Sequence, residues 1–308
     1  MTASTTAPAI AITGLSKRYG AKTALTDLNL HIAQGEIFGY LGPNGAGKTT
    51  TIRILLDLIR PSAGRAHVLG RDVHADSVAV RAHVGYLPGD LALWDGARAR
   101  DVIAHFARLR GGTDARYTAS LRERLQFDDT RRVREYSTGN RRKLGLILAL
   151  MHKPALLILD EPTSGLDPLV QQTFHQLMHE VKAEGRTVFL SSHVLSEVQA
   201  VCDRVGILRG GVLQRVQAMH DLMETEQRRV VVRLREAAPT HLLDGLNTSQ
   251  VQAEANTLRF GYTGPIDPLL RALAPYYVED LRISEPSLES IFIGFYQNED
   301  AAAGEVRA

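Results

Sequence analysis

Short apolar runs, spaced apart by stretches of helical periodicity, give the chain its first outline. Ile37-Phe38-Gly39-Tyr40-Leu41 is apolar throughout, and Ala155-Leu156-Leu157-Ile158-Leu159-Asp160 is a second such run that ends in a carboxylate. Thr187-Val188-Phe189-Leu190-Ser191 and Val205-Gly206-Ile207-Leu208 repeat the pattern. Runs of this kind fit parallel strands covered on both faces. Residues 51–58 carry apolar positions at helical spacing, so strands alternate with helices and an α/β sheet follows. Upstream, residues 10–13 and 28–32 read as short strands around Leu15-Ser16-Lys17-Arg18-Tyr19-Gly20, which sets antiparallel pieces before the parallel core. Residues 101–134 shift toward Arg and Ala at helical spacing, predicting a mostly helical insert with a Gly111-Gly112 turn and an N-cap at Asp114.

A charged stretch at 222–228 breaks this alternation, and beyond it the register changes. Strands are predicted over 230–234, 251–254, 258–262 and 278–283, the middle two joined at Ala255-Asn256-Thr257. Helices are predicted over 241–246, 266–274 and 288–296. That order, βαββαβ plus a helix, matches a split βαβ or ferredoxin-like unit. The expected organisation is a large α/β domain over 8–224 with a helical subdomain at about 89–150, a small α+β domain over 228–297, and a disordered tail over 298–308.

Composition narrows little. The chain has 308 residues, a formal net charge of +2 and a pI near 8.7, too weak a bias to argue for nucleic acid or an anionic membrane. Its single cysteine, Cys202, excludes an intrachain disulfide and reads as a small buried hydrophobe in a reducing compartment. The start lacks a basic n-region and a long apolar h-region, so no secretion signal is expected. The longest apolar tract, 144–151, falls far short of the roughly 20 residues that span a bilayer. The chain is therefore expected to be soluble, or attached to a membrane through something else.

Chemistry enters with the segment that follows the first apolar run: Gly42-Pro43-Asn44-Gly45-Ala46-Gly47-Lys48-Thr49-Thr50. In the G-x-x-x-x-G-K-[ST] spacing, glycines turn successive backbone N–H groups inward above a helix N-terminus, which favours anionic oxygen. Between a strand and a helix this reads as a nucleoside triphosphate loop, with Lys48 on the β- and γ-phosphates and the Thr49 hydroxyl on Mg²⁺. Asp160 and Glu161, closing a later strand, supply the other half of a phosphoryl-transfer site. Asp160 would hold Mg²⁺ through its water shell, and Glu161 would orient and deprotonate the attacking water. A structural pair of strand-capping acids is the bland alternative. His67, His74, His83 and His175 have no ligand-like spacing for a structural metal.

Lys17-Arg18-Tyr19-Gly20, the loop 42–50, Tyr136-Ser137-Thr138-Gly139-Asn140-Arg141-Arg142-Lys143, the strand end 157–161, Ser164-Gly165-Leu166-Asp167 and Ser191-Ser192-His193 follow one another in a familiar order. In that order, over roughly two thirds of the chain, the sequence resembles the ATPase cassette of ABC transporters, a P-loop NTPase fold. The resemblance implies further roles. Tyr19 would stack on adenine, and Ser137, Thr138, Gly139 and Asn140 would form the signature that reaches the γ-phosphate of ATP held by a partner subunit. Ser164 and Asp167 would belong to the loop linking the two sites of a homodimer, and His193 would contact the γ-phosphate. The cofactors implied are ATP and Mg²⁺.

The resemblance is nearest to the drug-resistance and antibiotic-export branch, on the signature, on Tyr86-Leu87-Pro88-Gly89-Asp90 and on Pro286-Ser287-Leu288-Glu289-Ser290-Ile291-Phe292. It implies the motor of an exporter, peripheral on the cytoplasmic face of the membrane through a separate ABC-2 type permease. Phe292, Phe295 and Tyr296 would form either a packing face or the private core of the small domain. An importer motor and a soluble cassette acting on ribosomes or DNA are the competing readings. The latter is disfavoured by a single cassette and by the lack of sustained heptads between Lys48 and Asp160, so no nucleic acid is expected. Two departures stand out. Gly89 occupies a place where glutamine is usual, leaving Asp90, water or backbone to serve the metal. Tyr136, Thr138 and Asn140 replace Leu, Gly and Gln in the signature, which points to slow intrinsic turnover. The basic cluster Arg131-Arg132-Val133-Arg134 with Arg141-Arg142-Lys143 is read either as support for phosphates or a partner's acidic loop, or as a solvated face; no site residue is assigned to it.

Overall fold

Three sheets and nine helices carry the described residues of the computed structural model, which are 7–224, 227–237, 239 and 242–284. The chain divides into two units, Met1–Ala218 and Met219–Ala308. The first opens with β1 (Ile10–Tyr19), β2 (Lys22–Ile32), β3 (Ile37–Leu41), α1 (Lys48–Leu55), β4 (Ala63–Val68), β5 (Arg71–Asp72), α2 (Ser77–Ala82) and β6 (Val84–Leu87). Three helices follow, α3 (Ala99–Leu109), α4 (Ala115–Arg124) and α5 (Thr138–Leu150). The unit closes with β7 (Leu156–Asp160), α6 (Pro168–Ala183), β8 (Thr187–Ser192), α7 (Leu195–Val201), β9 (Arg204–Arg209) and β10 (Val212–Ala218). The second unit contains α8 (Met219–Glu224), β11 (Arg228–Leu234), β12 (Thr248–Glu254), β13 (Thr257–Tyr262), α9 (Ile266–Leu273) and β14 (Val278–Ser284).

The central sheet has the order β10-β9-β3-β8-β7-β6. Its members pair in parallel except β10, which lies antiparallel on β9. Every residue of β3, β7 and β8 is buried, which is why these runs carry no polar alternation. Phe38 stacks on Phe189 with ring centroids 6.1 Å apart, and Tyr40 meets the same ring at 5.2 Å. Register pairs Leu41 with Ser192, Asp160 with Ser191, and Leu87 with Leu159. The loops leaving β3, β6, β7 and β8 therefore emerge along one carboxyl edge, where open α/β sheets place ligands. Gly39 lets α7 close on β3: a Cβ there would stand 2.5 Å from Val198 Cγ1 and 2.9 Å from Cys202 Sγ. Cys202 is buried in that seam, as its sequence context predicts.

The antiparallel sheet, order β2-β1-β4-β5, departs from expectation in extent. Residues 15–20 were expected to separate two short strands, yet β1 runs on to Tyr19 and β2 begins at Lys22. Register shifts between Ile12 and Leu15, Leu15 and Lys17, and Lys17 and Arg18 break the alternation, so the period-2 signal fades while pairing continues. The first helix starts and ends three residues earlier than the predicted 51–58, and the chain turns into the left-handed region at Asp57, φ 53°. In the insert, Asp114 caps α4 as anticipated, its Oδ1 accepting from the backbone N–H groups of Arg116 at 2.9 Å and Tyr117 at 3.1 Å.

In the second unit the sheet order is β12-β13-β11-β14 with every neighbour antiparallel. The first and third strands thus pair at the centre, as a split βαβ arrangement requires. Val230, Val232, Phe260, Tyr262, Leu269 and Leu273 pack as its core. The helix expected over 241–246 is instead a run of turns across the described residues 242–246. Gly245 sits at φ 77°, which ends any helical path. The helix expected at 288–296, with Phe292, Phe295 and Tyr296, and the tail 298–308 lie outside the described residues.

Candidate active site

The loop between β3 and α1 is built by glycine where no other residue fits. A Cβ on Gly42 would stand 2.3 Å from the Leu208 carbonyl oxygen, and Gly47, at φ 112°, is the residue from which α1 starts. Pro43, Asn44 and Gly45 are exposed at the mouth, whereas Gly42 and Ala46 are buried beneath it. Lys48 opens α1 and is almost fully buried. Its Nζ donates to the carbonyls of Gly42 at 2.6 Å and Pro43 at 3.3 Å, and lies 3.4 Å from Glu161 Oε1. Thr50 follows half-buried on the same helix, and Thr51 locks the helix to the sheet through Tyr40, Oγ1 to OH 3.2 Å.

Opposite this loop, Asp160 is buried at the end of β7 with both oxygens engaged. Thr49 Oγ1 donates to Oδ2 at 2.8 Å, and the Ser191 hydroxyl donates to Oδ1. Glu161 is a non-glycine residue held at φ 51°. Such backbone strain costs about 1–3 kcal/mol and clusters at functional sites. Its N–H donates to the Ser191 carbonyl at 3.0 Å, while its carboxylate faces Lys48 through Oε1 and the His193 Nδ1 through Oε2 at 2.7 Å. His193 itself is exposed on the loop after β8.

That loop is held from behind. Val194 N–H donates to Ser192 Oγ at 2.9 Å, and Ser192 Oγ donates to Glu197 Oε2 at 2.6 Å. Glu197 lies buried in the first turn of α7. Burial pushes its carboxyl above the ordinary range, the Ser192 and Thr163 hydroxyls draw it back, and the Glu161 charge adds to the rise.

Oxygen donors, a hydroxyl and a carboxylate 2.8 Å apart, suit Mg²⁺, which keeps several waters and takes few protein ligands. Residue 89 brings no side chain to this place: a Cβ on Gly89 would come within 3.1 Å of Asp160 Oδ2. Asp90, next in the chain, is exposed. The residues present therefore fit the ion, with Thr49 and Asp160 as the groups that would hold it. When bound, Mg²⁺ neutralises phosphate charge.

The remaining sequence-predicted residues form a second group. Ser137 Oγ caps α5, accepting from Asn140 N–H at 3.3 Å, and Thr138 is exposed. Gly139 lies so close to the Gly165 carbonyl that a Cβ would meet it at 2.4 Å. Asp167 caps α6 through Val170 N–H at 3.0 Å, and Ser164 is exposed one turn before it. Among the described residues no hydrogen bond or ion pair joins this group to the phosphate loop. Tyr19 ends β1 with 46 % of its surface exposed, Lys17 Nζ standing 5.0 Å from its ring centroid.

Sequence reasoning misses Ser191 and Glu197 here. Ser191 reads only as context for His193, and Glu197 gives no signal beyond lying four residues after that histidine on a short helix. The solvated-face reading of the basic cluster fails at two positions, since Arg142 and Lys143 are 6 % and 7 % exposed. Helix α5 packs that side inward, while Arg141 stays at the surface on Asp95 at 3.0 Å.

Comparisons agree with this geometry. Residues 25–164 match the family described as ABC transporter. The daunorubicin resistance ATP-binding protein DrrA3 of Streptomyces coeruleorubidus is 38 % identical over 300 residues, covering 92 % of this chain and 95 % of that protein. The Nod factor export ATP-binding protein I of Rhizobium johnstonii is 34 % identical over 294 residues, covering 92 % and 94 %. A solved ATP-binding subunit of an ABC transporter superposes with a TM-score of 0.64 at 28 % identity, covering 70 % of this chain and 92 % of that one. Likeness along nearly the full length of two curated relatives, joined to a phosphate loop facing a strand-end acid pair, means that the chain belongs to the ABC transporter ATP-binding proteins, ATPases that use ATP with Mg²⁺.

Proposed function

We propose that this chain is the motor subunit of an exporter, closing as a homodimer around two MgATP to drive a separate ABC-2 type permease. One observation carries the reading: Lys48, Thr49, Asp160, Glu161 and His193 converge on one cradle, while the signature start lies outside it, Ser137 and Thr138 exposed and Gly139 and Asn140 half-buried. A cradle that lacks donors on its open side is completed when a second copy presents them. In this reading the backbone N–H groups of 44–49 and Lys48 hold the β- and γ-phosphates, Thr49 and Asp160 hold Mg²⁺, and Tyr19 stacks on adenine. Glu161 orients the attacking water and takes its proton. His193, bonded to Glu161 through Nδ1, keeps its other ring nitrogen for the γ-phosphate. Ser137 and Gly139 of the partner complete the shell, and Asp167 carries the state of one site to the other. Daunorubicin resistance and Nod factor export are what the names of the relatives describe, and they support the outward direction of transport proposed here. Among the described residues no helix is long and apolar enough to cross a membrane, in keeping with a permease on another polypeptide.

Glu161→Gln tests the reading. It removes the base while keeping the side-chain shape, so hydrolysis falls by about 10²–10⁴-fold and an ATP-bound dimer accumulates in sedimentation velocity. A variant that binds MgATP tightly yet stays monomeric at all concentrations would refute the shared site. Co-purification of a hydrophobic polypeptide from detergent-solubilised membranes checks the permease.

A further inference from the structure

A buried guanidinium lies behind the metal site. Arg142 projects from α5 and is 6 % exposed, and among the described residues no carboxylate forms a salt bridge with it. Its partners are main-chain oxygens: one terminal nitrogen donates to the Pro88 carbonyl at 2.7 Å, the other to the Gly89 carbonyl at 2.8 Å. Burial lowers its proton affinity, while the charges of Asp160, Glu161, Asp90 and Glu197 raise it. A guanidinium keeps its proton throughout. Burying such a charge is costly unless it is well partnered, so its place here calls for a role.

Gly89 explains the arrangement. The residue has no side chain to offer, and its Cα borders Asp160 so closely that a Cβ would stand 3.1 Å from Oδ2. The loop after β6 therefore lies close against the metal-site carboxylate and is held by the Arg142 fork. Arg142 in turn belongs to the helix that Ser137 caps and whose first turn carries Thr138 and Gly139. One short loop lies between the metal site and the signature helix.

We propose that Arg142 is a positioning residue that ties the signature helix to the loop at Pro88-Gly89, so that occupation of the MgATP site sets where Ser137 and Gly139 are presented. The inference rests on the reading that these two residues act on a partner's nucleotide. Arginine suits the task because its planar fork takes two carbonyls at once; lysine, a point donor, holds one.

The test uses the full-length chain in the Glu161→Gln background, with MgATP as the probe. Arg142→Lys and Arg142→Gln are compared with the parent for MgATP binding to monomer at high dilution and for the MgATP concentration that half-saturates dimerisation. Binding is expected to stay within about threefold, and the dimerisation midpoint to rise about tenfold or more for Gln and less for Lys. A midpoint unchanged in both variants overturns the proposal, and so does an equal loss of binding and dimerisation, which would make Arg142 part of the nucleotide pocket. A second measurement needs no Arg142 variant. In the parent, held too dilute to dimerise, MgATP is expected to alter hydrogen exchange in the first turn of α5, residues 138–141. Unchanged exchange there overturns the coupling even if the variants fail to fold. A parent that never dimerises fails the shared-site reading instead, and leaves the exchange result to judge Arg142.

Discussion

At the scale of single residues, burial decides which groups titrate with folding. His152, just beyond α5, has its pKa pushed down to about 4, first by burial and then by the positive charge of Arg110. Its Nε2 lies 3.4 Å from the Val84 carbonyl, and its Nδ1 is buried without a partner. The unfolded chain binds a proton near 6.5 and the folded chain resists it until about 4, so stability is full above 6.5 and is lost as pH falls through that window. Discounted for partial exposure, the loss amounts to about 1–2 kcal/mol. His152→Gln abolishes this component. Urea midpoints measured from neutral pH down to about 4 should fall less steeply for the variant than for the parent; parallel curves would contradict the assignment. The signature tyrosine follows the same logic, since burial and the charges of Asp128 and Asp129 push Tyr136 up to about 12, and its hydroxyl donates to the Asp128 carbonyl. A leucine would not make that bond.

At the scale of elements, the site depends on how closely α7 approaches β3. Gly39 sets that distance, and α7 carries Glu197, which anchors the loop of His193 through Ser192. Gly39→Ala drives a methyl into Val198 and Cys202 and is expected to cost about 1–3 kcal/mol in thermal or denaturant unfolding. It should also lower turnover, because a displaced α7 carries Glu197 and with it the Ser192 anchor of the His193 loop. Adding Val198→Ala removes the nearest clashing carbon and should restore part of both losses. A double variant no better than the single would show that the seam is not the cause. The helical insert was legible for the opposite reason. Asp114, Gly111 and Gly112 act through local backbone geometry, which sequence spacing reports directly.

At the scale of the whole molecule, the separation of the cradle from Ser137 makes a prediction about mixtures of chains. Lys48→Ala and Ser137→Arg are each expected to lose most ATPase activity. Mixed in equal amounts, they form heterodimers with one intact site, built from the phosphate loop of the Ser137→Arg chain and the signature of the Lys48→Ala chain. Random pairing puts about a quarter of the sites in that state, so about a quarter of the activity should return. A steady-state ATPase assay reads it, and no recovery on mixing would mean that each chain completes its own site.

The residues themselves determined the phosphate loop, the strand-end acids and the alternation of strands and helices, because each is written in contiguous residues whose geometry is local. The order of strands in the small unit was equally readable from turn positions and period. The extension of β1 through its bulges was not, since register shifts erase the alternation that announces a strand. Nor was the burial of Arg142: charge and helical spacing alone do not say which face of α5 turns inward, and only the packing of the loop after β6 against that helix settles it. The Ser191 bond to Asp160 and the Glu197 hold on Ser192 likewise exist only once parallel pairing brings β7 and β8 into register. Chemistry confined to one segment is fixed by sequence, whereas chemistry shared between segments waits for the fold to bring them together.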